Sequence, residues 1–340
     1  MSAYDKIVSV VLAAVLIAFP LTACENQKAS EVVDQPAQEQ VAPNAVTVNV
    51  AAPHGTGSVG LASLMSKVAE GSDLKGNYHF AITTAVEQIP SALEGGFADI
   101  AILTPSAAAS YYNQTGGITV LAINSMSPMA LVTSDDSISS LADLRGKTVF
   151  FSGAGAETLQ ASQHLLKLLQ LDNSVEIEII NDPAVAVARL SKEKGSTAFL
   201  AQPYASMAIK GESKIRRVVD LADAWGTLAN DGSQMVSTIV VARNEFVAQH
   251  PKITAEFLAA LAESSQLAAD DPIVVNPLVV DAGILETELL DERVLPLCHP
   301  VCIQGPEMKA ALSGYLQTLY DSDPYMIDGE VPGDDFYYGA

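Results

Sequence analysis

Four short segments combine small residues with serine or threonine in a way that suits the binding of a small ligand. They are PHGTGSVG (53–60), TTA (83–85), LTPSA (103–107) and SGAGAET (152–158). Each follows a β-forming run and precedes a helical pattern, so backbone N–H groups at a helix start stay free, where the helix dipole favours a negative group. N-capping explains any single segment, but four such segments favour a ligand site.

The segment HGTGSVG also satisfies the G-x-G-x-x-G spacing of dinucleotide sites, directly after a predicted strand. The acidic residue expected about twenty positions later is missing, because the second strand ends in AITTA. A Walker loop is excluded since Leu61 stands where lysine is required. A dinucleotide site remains an alternative interpretation.

The elements that position these segments alternate regularly along the chain. Runs such as VTVNVAAP, NYHFAITT, ADIAILTP and TVFFSG are typical of strands, and helical patterns separate them. Repeated strand–helix units predict parallel sheets covered by helices on both faces. We therefore expect an α/β fold with two doubly wound lobes, and ligands bind such sheets at the carboxyl ends of the strands.

Composition narrows the classes of function. The 340 residues carry a formal net charge of -22, from 18 basic and 40 acidic side chains, and 49% of them are hydrophobic. This acidity excludes a nucleic-acid partner, whose phosphates require a basic face. The length and hydrophobic content predict two domains with a substantial core.

The beginning of the chain predicts export and a membrane anchor. The apolar run IVSVVLAAVLIAFP is too short for a comfortable membrane span and fits a signal peptide over residues 1–23. LTAC then resembles the lipobox of bacterial lipoproteins, which implies an acylated Cys24. An ordinary secretory signal with an incidental cysteine is the alternative. The polar residues that follow predict a flexible tether over 24–45.

Cysteine and histidine placement offers few further sites. Cys298 and Cys302 in LCHPVC form a possible disulfide, and a zinc site with His299 or two free thiols are the alternatives. The other histidines are scattered, and no G-x-S-x-G motif is present. We expect no enzyme activity, no cofactor and no metal.

An ordered set of motifs resembles a known family. The segments VAAPHGTGSVGLASLM, ALEGGFADIAILTPSAAA, DLRGKTV, LAQPYASMA and VVARNEFVAQHP are similar to substrate-binding proteins of ABC importers. The nitrate/sulfonate/taurine branch, which includes binders of thiamine precursors, is the most similar. The resemblance extends from about residue 46 to 340.

The resemblance implies a type II periplasmic binding protein fold, in which two lobes close on a ligand. The first lobe would comprise residues 46–130 and 238–340, and the second lobe residues 131–237. The segments SPMALVTS and QMVSTIVVA would be the two strands that cross between the lobes.

The resemblance also implies which residues meet the ligand. Trp225 would form an aromatic wall, with burial in the core as the alternative, and Gln202 stands where many relatives have glutamate. The full expected set is His54, Gly55, Thr56, Gly57, Ser58, Thr83, Thr84, Thr104, Ser106, Gly153, Ala154, Gly155, Ala156, Gln202, Tyr204 and Trp225.

The implied role is the capture of a small organic ligand by a monomer anchored outside a bacterial cell membrane. The implied partners are an ABC permease and its ATPase. A ligand-sensing surface lipoprotein is one alternative. An enzyme related to pyrimidine or thiamine-precursor synthesis is another, although the cysteine-rich motif of such an enzyme is absent.

Overall fold

Two separate β-sheets organise the chain in the computed structural model, which describes residues 45–291 and 293–340. The strands are β1 (Val46–Pro53), β2 (Gly76–Thr83), β3 (Ile100–Leu103), β4 (Ile118–Met126), β5 (Met129–Thr133), β6 (Thr148–Ser152), β7 (Glu176–Ile179), β8 (Thr197–Ala201), β9 (Arg216–Asp220), β10 (Val236–Arg243) and β11 (Pro300–Ile303). The strands up to β4, with β10 and β11, form the first sheet, and β5 to β9 form the second.

Helices connect most of these strands. The α-helices are α1 (Ala62–Ala69), α2 (Ile89–Glu94), α3 (Pro105–Thr115), α4 (Ala156–Leu168), α5 (Pro183–Lys192), α6 (Tyr204–Gly211), α7 (Leu221–Leu228), α8 (Asn244–Gln249), α9 (Pro251–Asp270), α10 (Pro272–Asp281) and α11 (Gly305–Ser322). Short 3₁₀ helices occupy Thr56–Leu61, Val86–Gln88, Leu141–Leu144, Thr287–Leu289, Pro296–Cys298, Pro324–Ile327 and Asp334–Phe336.

The first sheet has the strand order β11-β4-β10-β3-β1-β2. β1 pairs in parallel with both β2 and β3, whereas β10 runs antiparallel between β3 and β4. β3 and β4 therefore run in the direction of β1, although they do not pair with each other. β11 closes the edge antiparallel to β4.

The second sheet repeats this plan with the strand order β7-β6-β8-β5-β9. β6 pairs in parallel with β7 and β8, and β5 runs antiparallel to β8 and β9. Each sheet thus combines parallel strands with one internal antiparallel strand that arrives from the other sheet. The predicted parallel strands are present, and each sheet contains in addition an internal antiparallel strand, because a chain that crosses between the sheets enters in the opposite direction.

Two chain segments cross between the sheets. The first is the short link Ser127–Pro128 between β4 and β5, and the second leads from α7 into β10. The backbone N–H of Ser127 donates to the carbonyl of Met235 over 2.8 Å, so the two crossings are hydrogen-bonded side by side. This geometry agrees with the crossing segments that the sequence predicted.

The helix α11 packs where the two sheets come together. Its buried residues, Met308, Leu312, Tyr315 and Leu319, belong to one continuous apolar cluster with Val120 of β4 and Phe199 of β8, among others. Each sheet also packs against a separate apolar cluster. That cluster lies under α1 and α9 on the first sheet and under α5 and α6 on the second sheet. The predicted α/β fold class is confirmed, and the lobe boundaries remain predictions.

The predicted signal peptide, Cys24 and nearly all of the predicted tether lie outside the described residues. Within residues 45–291 and 293–340, no helix is both long enough and apolar enough to cross a membrane.

Candidate functional site

The four segments rich in small and hydroxyl-bearing residues lie at the carboxyl ends of parallel strands. They follow β1, β2, β3 and β6, which end at Pro53, Thr83, Leu103 and Ser152. Three of these strand ends lie on the first sheet and one on the second. This placement was predicted from the sequence, whereas contact with a ligand remains a prediction.

One contact joins the segment on the second sheet to a segment on the first. Glu157, in the first turn of α4, accepts hydrogen bonds through Oε2 from the Ser106 hydroxyl at 2.5 Å and from the Ser106 backbone N–H at 3.2 Å. Ser106 lies in the first turn of α3. The carboxylate of one lobe therefore caps the positive end of a helix in the other.

The environment of Glu157 is unusual for a carboxyl group. Its Oε1 oxygen is buried and has no hydrogen-bond partner among the described residues. Burial raises the pKa of Glu157 to about 7, against the opposing effect of hydrogen bonds from Ser106, Thr104 and Tyr315. The charged form is therefore costly here, because too few donors replace the water that it has lost.

Tyr315 of α11 approaches the same carboxyl group. The pKa of its hydroxyl is raised well above the ordinary value, first by burial and then by the charge of Glu157. No sequence signal singled out Tyr315, because Met308, Leu312 and Tyr315 share the spacing of an ordinary core-facing helix stripe.

The glycine-rich segment after β1 is explained mainly by packing. A Cβ atom on Gly57 would stand 2.6 Å from the Thr238 side chain, and one on Gly60 would stand 2.6 Å from Ser265 Oγ. Within the segment 53–60, only Gly55 has a positive φ, of 128°, that disfavours other residues. These close approaches account for the spacing without a dinucleotide.

Ser58 and His54 of this segment have partners within the protein. Ser58 is fully buried, and its hydroxyl donates to the Pro53 carbonyl at 2.5 Å. Its side chain therefore satisfies the protein's own backbone in this structure. His54 remains partly exposed, with Nε2 at 3.5 Å from Glu286 Oε1.

The other predicted ligand contacts differ in their exposure. Thr84, Thr104 and the stretch Gly153, Ala154, Gly155 and Ala156 are exposed at the strand ends. Gly55, Thr56, Thr83, Ser106 and Tyr204 are partly buried, and Gly57 is buried. The N-terminus of α4, with Gly155 at its N-cap position, has no side-chain cap.

The Gln202 side chain forms hydrogen bonds within the protein. It is 4% exposed, and its Oε1 accepts hydrogen bonds from the Ser206 N–H at 3.2 Å and the Ser206 hydroxyl at 2.8 Å. Its amide oxygen thus satisfies the first turn of α6. The prediction that Gln202 meets a ligand is not supported in this conformation.

The prediction of Trp225 as an aromatic wall was wrong. Its side chain is 0% exposed, and its indole N–H donates to Ser233 Oγ at 2.9 Å. The ring contacts His164 and Tyr315, with centroid distances of 5.2 and 5.4 Å. Trp225 is a core residue, and its ring packs against the ring of Tyr315.

The possible disulfide was also wrong, since Cys298 and Cys302 are both free. Cys298 is buried in an apolar cluster beside α10 and donates to the Val294 carbonyl. Cys302 packs against a different cluster, under α9. The two thiols therefore point into separate cores despite their proximity in sequence.

His299, the third member of the alternative zinc site, contacts the second sheet instead. Its Nε2 lies 2.9 Å from Asp220 Oδ2, while Asp220 Oδ1 caps α7 by accepting from the Ala222 N–H. In the described parts of the chain no group of three or more His, Cys, Asp or Glu side chains is placed to hold a metal ion.

A comparison with protein families matches residues 84–273, more than half of the chain, to the family described as NMT1/THI5 like. No curated protein matches the sequence. Solved structures with the same fold include an ABC transporter protein from Parabacteroides distasonis (20% identity, TM-score 0.71, 86% of this chain and 98% of that chain).

Two sulfonate-binding proteins also share the fold. One is the periplasmic aliphatic sulphonate binding protein SsuA from Escherichia coli, at 16% identity and TM-score 0.62 over 82% of this chain and 88% of that chain. The other is the alkanesulfonate-binding protein SsuA from Xanthomonas axonopodis pv. citri bound to MOPS, at 14% identity and TM-score 0.52 over 86% and 96%. The similarity extends over both sheets.

Proposed function

Because this chain belongs to the NMT1/THI5-like family, we propose that it is a solute-binding protein that captures a small organic ligand between its two lobes. The ligand is then delivered to an ABC permease and its ATPase. The observation that carries the proposal is the contact between Glu157 and Ser106, since it brings the ligand-type segments of the two sheets face to face. Two lobes that close on a solute require such facing surfaces.

The surroundings of the cleft favour a ligand without dense negative charge. The predicted contacts contain no Lys or Arg, and Glu157 adds a buried carboxyl group. Lys309 of α11 is paired at 2.9 Å with Asp334. The Xanthomonas protein is bound to MOPS, a sulfonate that also carries an amine nitrogen. A sulfonate of the taurine type or a heteroaromatic compound suits this site better than nitrate or sulfate.

We expect reversible binding without turnover. A ligand that binds only the native state stabilises it by RT ln(1 + [L]/Kd), about 2.7 kcal/mol at a hundredfold excess over Kd. A thermal-shift screen of the purified protein against sulfonates, carboxylates, pyrimidines and inorganic anions should give a few clear increases in melting temperature. Chemical conversion of any hit, followed by mass spectrometry, would contradict the proposal.

We further propose that the protein works as a monomer on the outer face of a bacterial cell membrane, anchored through Cys24. A lipidated N-terminal cysteine followed by a polar tether allows a binding protein to stay beside its permease.

Replacement Cys24→Ala is therefore expected to move the protein from the membrane fraction to the soluble extracytoplasmic fraction. Cys302→Ala is the matched control, because it also removes one thiol, and it should leave the protein in the membrane fraction. Both variants are compared by cell fractionation and immunoblotting. Unchanged membrane association of Cys24→Ala would refute the anchor.

A further inference from the structure

A side-chain contact joins the two sheets beside the first crossing segment. His299 lies directly before β11 of the first sheet, and Asp220 is the last residue of β9 of the second sheet. His299 Nε2 is 2.9 Å from Asp220 Oδ2, and the two side chains are only 24% and 10% exposed. Because a carboxylate can only accept, the imidazole Nε2 donates this hydrogen bond.

Hydrogen bonds of the backbone place this contact next to the crossing. The His299 carbonyl accepts from the N–H of Met126, the last residue of β4, over 3.2 Å. Asp220 pairs with Ala130 near the start of β5. Since β4 and β5 are joined by Ser127–Pro128 alone, the contact between the two side chains spans the crossing from one strand to the next.

The strand orders show on which side of the crossing the contact lies. In the first sheet β11 is on one side of β4, and β10, β3 and β1 are on the other. In the second sheet β9 is on one side of β5, and β8 and β6 are on the other. Ser106 follows β3 and Glu157 follows β6. The contact between His299 and Asp220 therefore lies on the opposite side of the crossing from the contact between Ser106 and Glu157.

Both side chains are held in place by their own surroundings. His299 has φ 48° and ψ 53°, in the left-handed region that few residues other than glycine adopt. Asp220 Oδ1 accepts from the Ala222 N–H at 3.0 Å, and Arg217 Nη1 is 3.7 Å from Oδ2. Glycine would suit the backbone at position 299, but it would lack the group that reaches the second sheet.

We propose that His299 and Asp220 form a tie that positions the two lobes for closure, and that loss of the tie lets the empty cleft open more often. The tie fixes the separation of the sheets on one side of the crossing, so it restrains the rotation that separates them on the other side. Both are positioning residues, because they act on the cleft only through the crossing. The inference rests on the proposed closure of two lobes, but it concerns the protein without ligand.

Two substitutions remove the tie and preserve the local structure. Asparagine tolerates the left-handed region, but its amide is too short to reach Asp220, so His299→Asn keeps the backbone and loses the contact. Serine is a good N-cap residue, so Asp220→Ser keeps the cap of α7 and loses the contact. His299→Gln is the rescue variant, because its longer amide carries an N–H donor to the same place. Gln170 shows that glutamine adopts a φ of 56° in this chain.

Site-resolved amide hydrogen exchange of the purified, ligand-free protein measures the opening. The reporter is the Ser106 N–H, which donates across the cleft to Glu157 and becomes accessible when the lobes separate. The Ala108 N–H donates to the Thr104 carbonyl within α3, so it reports fraying of that helix instead. The control His79→Asn carries the same substitution at an exposed residue of β2.

We expect His299→Asn, Asp220→Ser and the double variant to accelerate exchange at Ser106 by the same factor, about three- to tenfold, because each removes the same hydrogen bond. Exchange at Ala108 should stay unchanged. His299→Gln and His79→Asn should exchange as wild type does. Cooperative melting identifies the folded variants, and either single variant together with the rescue variant decides the outcome.

Unchanged or slower exchange at Ser106 in the folded variants would overturn the inference, because the pair would then contribute as little as many ion pairs at protein surfaces do. Equal acceleration at Ala108, factors that multiply in the double variant, or failure of His299→Gln to restore slow exchange would overturn it as well. The proposed function fails separately, if no compound in the broad thermal-shift screen stabilises wild type.

Discussion

The empty protein is expected to lose stability as the pH rises from 5 to 8, by an amount on the order of 3 kcal/mol in the free energy of unfolding. The cause is Glu157, whose pKa is raised from 4.5 to about 7 by burial in the folded state. Between these two values the folded protein holds a proton that the unfolded chain releases. Stability is therefore highest below the unfolded pKa and declines until the pH passes the folded pKa.

Urea denaturation at pH 5, 6, 7 and 8 measures this effect. Glu157→Gln keeps the size of the side chain and removes the charge, so its free energy of unfolding should change much less over the same range. Glu176→Gln serves as the control and should follow wild type, because Glu176 is an exposed carboxylate at the start of β7. An equally steep decline in Glu157→Gln would assign the pH dependence to other groups.

Trp225→Ala is expected to lower the free energy of unfolding by about 3–5 kcal/mol. The ring is fully buried between His164 and Tyr315, so its removal leaves a large cavity below the cleft. Trp225→Phe should cost considerably less, because it keeps an aromatic ring. The Ser233 hydroxyl also retains its hydrogen bond to Asp231 at 2.6 Å in that variant.

The same variants distinguish a core residue from a cleft residue. The urea midpoint should fall in the order wild type, Trp225→Phe, Trp225→Ala, while any hit from the thermal-shift screen should bind folded Trp225→Phe with unchanged Kd. A stable Trp225→Ala protein with greatly weakened ligand binding would restore Trp225 as a wall of the cleft.

Local patterns in the sequence predicted the elements well. VTVNVAAP corresponds to β1 without any shift, and the predicted strand TVFFSG extends one residue beyond the end of β6 at Ser152. Such patterns are legible because side-chain alternation and turn residues act over a few positions. These local patterns also predicted that the four segments lie at the carboxyl ends of the strands.

The errors concern contacts between residues distant in the chain. Trp225 was assigned to the cleft although Tyr315, ninety positions later, covers it. The Gln202 side chain accepts a hydrogen bond from the Ser206 hydroxyl. Cys298 and Cys302 pack into two different apolar clusters. Side-chain direction in these cases depends on tertiary packing, which spacing alone does not encode.

The strand order of the first sheet has a consequence for the order in which the chain folds. β3 and β4 are held together by β10, which is synthesised more than one hundred residues after β4. A nascent chain that has emerged only as far as β9 therefore contains every strand of the second sheet, but its first sheet is still split in the middle. The lobe that is translated first is completed last, so the growing chain carries unpaired strand edges until β10 arrives, and those edges need protection from other chains.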